Sequence, residues 1–150
     1  MRVARGLAHV GHHLRAPIIL QAVMTVIRTD HAPAPVGPYS QAVAHGGVVY
    51  CSGQIALDPA SGELRTGTIE RETELVLANV DAVLRAAGTD KSRVLKCSVF
   101  VRSMDDFARI NAVYARYFVG SEPPARELVE VARLPKDVNI EISCIAALPA

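Results

Sequence analysis

Residues 68–88 constrain the fold more than any other stretch. The apolar positions Ile69, Val76, Val80, Val83, Leu84 and Ala87 fall on one stripe of a helix. Thr68 suits the N-cap, Glu70 and Glu72 favour the positive end of the helix dipole, and Gly88 suits the position just past the end. A one-sided helix must bury its stripe against something. The flanking runs "VVYCSG" and "VLKCSVFV" read as strands, so the something is a sheet.

The remaining elements follow from local signals. "HAPAPVGPYSQAV" is an irregular lead-in, because Pro33, Pro35 and Pro38 forbid helix. "YSQAVAHGGVVYCSG" reads as a hairpin, with Gly46 and Gly47 supplying the two positive φ values of a primed turn. "DPASG" is a second turn. "SRVLKCSVFV" alternates weakly, which predicts a strand buried on both faces. Ser103 caps a second helix, with Asp105 and Asp106 in its first turn. Phe107, Ile110, Tyr114, Tyr117 and Phe118 form its inner stripe. "PPARELVEVARLPKDVNIEIS" then reads as two strands joined at "RLPKD". The expected order is ββ-α-β-α-ββ, an α+β sheet with hairpins at both ends and two helices on one face. The opposite sheet face keeps apolar residues with nothing in one chain to cover them, so self-association is expected.

Composition excludes several classes. At 150 residues the chain is one domain, with 50% hydrophobic residues to fill a core. The first 23 residues carry Arg2, Arg5 and Arg15 and no acid. Taking those three from the 16 basic residues leaves 13 against 15 acids for the rest, so the domain leans acidic. A nucleic-acid partner is not expected, since neither a basic block nor Trp is present and aromatics are few. No apolar run is long enough to span a membrane. Cys51, Cys97 and Cys144 lie in strand-like runs with no metal-ligand spacing, which fits free, buried thiols in a reducing, cytoplasmic setting. Residues 1–23 read as an N-terminal extension outside the domain, which occupies 24–150. His9, His12 and His13 fall in that extension without partners at a defined spacing. An organelle transit segment has a similar basic flavour, but Ser is missing.

The candidate chemistry is spare. No phosphate-binding glycine loop, nucleophile elbow or zinc cluster occurs, so any catalysis should need no cofactor and no metal. Arg126 and Glu141 are the polar residues that a plain strand would rather lack. If the final two strands pair simply, both point toward one open end. A guanidinium and a carboxylate at one cleft suit a small anionic substrate and an activated water. The plainer alternative is a surface ion pair. By alternation Glu127 should face away from Arg126. Tyr39, Ser52, Gly53 and Asn111 could each be ordinary anchors or solvated residues.

Five segments, in order, carry a resemblance: "APAPVGPYSQAV", "YCSGQIALDPASGEL", "NVDAVLRAAG", "VLKCSVFVRSMDDFARINAVYARYF" and "PPARELVEVARLPKDVNIEISCIA". From Met24 to Pro149 the chain resembles the Rid (YjgF-type) family of reactive intermediate deaminases. The resemblance implies a chorismate-mutase-like α+β fold and a homotrimer with clefts between subunits. It implies hydrolysis of 2-imino acids or their enamines, such as 2-iminobutanoate and 2-iminopropanoate from 2-aminoacrylate, to 2-keto acids and ammonia. That activity protects pyridoxal-phosphate enzymes.

Carried over residue by residue, Arg126 would grip the substrate carboxylate and Glu141 would position the attacking water. Tyr39, Ser52, Gly53 and Asn111 would line the cleft. Two positions depart from the usual pattern. Glu127 stands where a small residue is common, and Leu128 stands where many members carry a cysteine, which argues against thiol chemistry here. Two other readings compete: an endoribonuclease acting on messenger RNA, and a trimeric small-molecule-binding or holdase module without turnover.

Overall fold

A computed structural model describes residues 23–150, and the basic N-terminal segment with its three histidines lies outside the described residues. The strands are β1 (Thr25–Ile27), β2 (Ala42–His45), β3 (Val48–Gln54), β4 (Val94–Val101), β5 (Ala125–Glu130) and β6 (Ile140–Ala147). The helices are α1 (Ile69–Ala86) and α2 (Phe107–Tyr117). They build one six-stranded sheet in the order β1-β2-β3-β6-β4-β5. Among the described residues only β4 and β5 run parallel; every other neighbouring pair is antiparallel.

The local signals acted as read at several places. Gly46 and Gly47 turn the β2–β3 hairpin with φ of 58° and 79°. The Thr68 side chain accepts from the Arg71 N–H, and Gly88 takes φ 81° past the end of α1. In the "DPASG" turn, Asp58 Oδ1 accepts from the Ala60 and Ser61 N–H groups.

Four expectations are corrected. A short extra strand, β1, precedes the lead-in and pairs with β2; three residues are too few for alternation to reveal. The last two strands do not form a hairpin. β6 slots between β3 and β4, while β5 is an edge strand beside β4. The burial patterns explain the difference. Ile140, Ile142, Cys144 and Ala146 are all buried, as a central strand requires, whereas β5 buries none of its residues fully. The intervening segment therefore wraps the end of β4, with the Val131 N–H donating to the Val101 carbonyl and the Arg102 N–H donating to the Asn139 carbonyl. β4 is also not buried on both faces: Cys97, Val99 and Val101 are buried, while Ser98 and Phe100 keep partial exposure. In the second helix, Phe107 is exposed and Val113 takes its place in the inner stripe.

Both helices cover one sheet face. Val76, Val80, Val83 and Leu84 of α1 and Ile110 of α2 meet Val49, Val99, Ile140 and Ile142 of the sheet. Each such side chain, fully buried, contributes about 1.5–3 kcal/mol of transfer free energy. A smaller cluster of Ile55, Leu57, Leu134 and Val138, with Phe100 and Val131 against it, lies under the β5–β6 connection. Among the described residues no helix covers the other sheet face, which is bare apart from the small cluster beside Phe100. Tyr50, Leu95 and Val129 are exposed there, with Phe100 and Ile145 partly so.

Candidate active site

The placement of β6 decides where the candidate residues go. Leu128 of β5 packs on the main core, so its strand neighbour two positions back, Arg126, also faces the helices. Glu141 lies between the buried Ile140 and Ile142 and opposite Phe100, so it faces the bare side. Arg126 and Glu141 therefore stand on opposite faces of the sheet. The simple-hairpin expectation that they share one end of a cleft is corrected, because the two strands are not neighbours. The ion-pair alternative falls with it.

Arg126 is held from behind. Its Nη1 donates to Asn111 Oδ1 at 2.8 Å, and its guanidinium lies 4.6 Å from the centre of the Tyr114 ring. It makes no salt bridge with any carboxylate among the described residues. The surrounding hollow, about 580 Å³, is walled by Phe118, Ser121, Pro123 and Pro124. Asn111 thus reaches the site by orienting the guanidinium. Tyr114 was missed as a site residue because its place on the apolar stripe of α2 reads as core. Its ring is indeed buried, and its hydroxyl has no hydrogen-bond partner.

Glu141 lies in a second cleft of about 310 Å³. Pro33, Val36, Tyr39, Ser52, Gly53, Gln54, Ile55 and Pro135 share its walls. Three of the expected residues, Tyr39, Ser52 and Gly53, are thus together with Glu141, while Asn111 and Arg126 sit in the other hollow. Ser52 and Gly53 occupy a register irregularity between Cys51 and Gln54 where β3 departs from β6. The Ser52 hydroxyl donates to the Ser40 carbonyl at 2.6 Å, which leaves its oxygen free to accept. The Tyr39 hydroxyl accepts from the Val36 N–H.

Gly53 leaves room for the Glu141 carboxylate where it stands. A Cβ there would overlap the Glu141 carboxylate and come within 2.8 Å of its carboxyl carbon. Burial pushes the Glu141 carboxyl above the usual carboxylate range. Gln41, a second residue missed, fixes the lead-in wall: its amide nitrogen donates to the carbonyls of Thr29, Ala32 and Pro33. Only a glutamine's buried position could have marked it, and sequence does not give burial.

Glu127 lies on the bare face, as alternation predicts. It accepts from Ser98 and pairs with Lys96 at 3.1 Å, away from Arg126. Cys51, Cys144 and Cys97 sit side by side on β3, β6 and β4, all buried and unbridged. Among the described residues no group of three or more His, Cys, Asp or Glu is placed to hold a metal ion, and no helix is long and apolar enough to cross a membrane.

The sequence matches the family model described as Endoribonuclease L-PSP over residues 29–148. It is 50% identical over 127 residues to a RutC family protein of Synechocystis, a span that covers 84% of this chain and 98% of that protein. It is 44% identical over 124 residues to a mouse protein named 2-iminobutanoate/2-iminopropanoate deaminase, covering 83% of this chain and 91% of the mouse protein. Among solved structures, YyfA of Yersinia pestis, described as a member of the conserved Rid protein family, is similar with a TM-score of 0.82 and 44% identity. That match covers 84% of this chain and 100% of YyfA. The mixed sheet with two helices on one face is the YjgF-type fold. The chain belongs to the endoribonuclease L-PSP family, the Rid or YjgF-type family of proteins.

Proposed function

We propose that this chain hydrolyses 2-imino acids, or their enamine tautomers, to 2-keto acids and ammonia. The observation that carries the reading is Arg126: a guanidinium steadied by Asn111 and Tyr114, with no carboxylate of its own, in a walled hollow. Its planar fork can take a substrate carboxylate through two parallel hydrogen bonds, which a lysine would not reproduce. The name of the mouse relative supports the same chemistry.

The reaction asks little of the protein. Water adds to the electrophilic C2 of the imine, and a carbinolamine forms. Its nitrogen leaves as ammonia, while the oxygen becomes the keto group. Glu141 accepts one proton from the water as the C–O bond forms and passes it to the imine nitrogen. It then accepts the carbinolamine hydroxyl proton as the C=O bond forms and passes it to the departing nitrogen, so both protons of the water end on ammonia. Fixing the carboxylate and aligning one water supplies most of the acceleration by positioning.

Because Arg126 and Glu141 face opposite sides of one sheet, the reading requires two copies of the chain. We infer a homotrimer in which the Arg126 hollow of one copy meets the Glu141, Tyr39, Ser52 and Gly53 cleft of the next. The bare sheet face, with Tyr50, Leu95 and Val129 exposed, would be buried by this assembly.

A coupled assay tests the activity. Threonine dehydratase supplies 2-iminobutanoate, semicarbazide traps what escapes, and 2-ketobutyrate is followed. Wild type is expected to suppress trapping. Arg126→Ala is expected to lose on the order of 100-fold or more in kcat/KM, with Arg126→Lys recovering little of it. A wild-type trimer that never competes with semicarbazide would overturn the deaminase reading and leave a binding module.

A further inference from the structure

Glu72 is a buried carboxylate that the proposed chemistry does not use. It lies in α1 with no exposed surface. Its two oxygens accept from a single residue: Oε1 from the Asn139 backbone N–H at 2.7 Å, and Oε2 from the Asn139 side-chain amide at 2.9 Å. No cation pairs with it among the described residues. Taking a carboxylate out of water is costly, and an apolar side chain would fill the same space without that cost. The position in the first turns of α1 offsets part of it through the helix dipole.

What the carboxylate holds is the entry to β6. The Asn139 carbonyl is occupied as well, accepting from the Arg102 N–H at the end of β4. Asn139 is thus gripped from a helix on one side and from a strand on the other. Three and two residues upstream, Lys136 and Asp137 both adopt left-handed φ, 54° and 55°, without being glycine. Such a pair persists only where its surroundings hold it. Two residues downstream is Glu141. Its carboxyl group sits directly over Gly53, in the space that a Cβ there would take, so where β6 starts sets whether the carboxyl reaches that place. Pro135, at the other end of the same turn, is a wall of the Glu141 cleft.

We infer that Glu72 is a positioning residue for Glu141: through Asn139 it pins the strained 135–139 turn and sets where the Glu141 carboxylate stands over Gly53. The inference rests on the deaminase reading for its kinetic consequence, but not for its geometry. Removing the anchor lets the turn relax toward ordinary φ, moves the start of β6, and opens Glu141, now half-buried, to more solvent. Among the described residues of one chain no other charged side chain lines that cleft, and in the proposed trimer Arg126 of the adjoining copy faces it in wild type and variants alike.

The test compares Glu72→Ala and Glu72→Gln in the full chain. Imine hydrolysis gives kcat and KM; carbon-13 NMR follows the titration of the Glu141 carboxyl, assigned with Glu141→Gln. Glu72→Ala is expected to lower kcat by about tenfold or more, while KM, governed by Arg126, changes by less than about threefold. Glu72→Gln keeps an acceptor for the Asn139 N–H and is expected to recover most of kcat. The Glu141 titration is expected to fall toward the ordinary carboxylate range in Glu72→Ala alone. If Glu72→Ala does not fold, Asn139→Ala, which keeps the backbone contact, is read by the same two signals.

A folded variant with wild-type kcat and an unmoved Glu141 titration overturns the inference. If wild type hydrolyses no imine, the deaminase reading fails by itself. The titration then decides this one: a downward shift supports it and no shift overturns it.

Discussion

At the scale of single residues, the Glu141 carboxylate occupies the space that a Cβ at Gly53 would take. Gly53→Ala would force the carboxylate aside. We expect a loss in kcat of at least about tenfold with the fold retained, checked by steady-state kinetics beside a thermal melt. Glu141 also makes a stability statement. Its folded carboxyl titrates above the ordinary value because burial disfavours the charge. The folded state therefore binds the proton more tightly than the unfolded one. Stability from this group is present below the unfolded value and is lost as pH rises through the folded value. In an Arg126→Ala background, which removes the guanidinium that the proposed trimer brings to this cleft, adding Glu141→Gln should raise stability at pH 7 and leave it unchanged near pH 4, as read from denaturant midpoints at the two pH values. Glu141 was visible in the sequence as a charge in an apolar strand, and Arg126 as the arginine that opens the strand after Pro123 and Pro124. The partner of Arg126 was not: Tyr114 looks like any core aromatic on a helix stripe, and only the fold brings its ring under a guanidinium.

At the scale of elements, caps and turns were legible because their causes are local. Thr68, Gly88 and the Gly46–Gly47 pair act within four residues of themselves. Strand pairing was not legible, because it depends on which distant run wins the central place. β6 wins it with four alternate buried side chains, and β5 is left at the edge with Arg126 turned toward α2. The connection this topology demands is strained. Lys136 is exposed and left-handed, a conformation that costs a side-chain-bearing residue about 1 kcal/mol. Lys136→Gly should therefore stabilise the protein by roughly 0.5–1 kcal/mol, measured by chemical denaturation. A destabilised variant would mean that the lysine side chain makes up for its backbone.

At the scale of the whole molecule, the candidate residues of one chain fall in two separate hollows, which the proposed function reads as two half-sites. The Arg126 hollow and the Glu141 cleft open on opposite sheet faces, and the apolar bare face lies between copies in the proposed trimer. The sequence hinted at self-association through strands with too many apolar residues, but it could not say that the site itself would be divided. That follows only from the face each strand presents once β6 is inserted. The most direct test of this account mixes two inactive proteins. Arg126→Ala and Glu141→Gln are each assayed alone, then unfolded together, refolded as an equimolar mixture and assayed for imine hydrolysis. If each cleft takes Arg126 from one copy and Glu141 from another, about a quarter of the clefts regain both groups, and activity should return to about a quarter of wild type. A mixture of exchanged, intact trimers that stays as inactive as its parents would contradict the account.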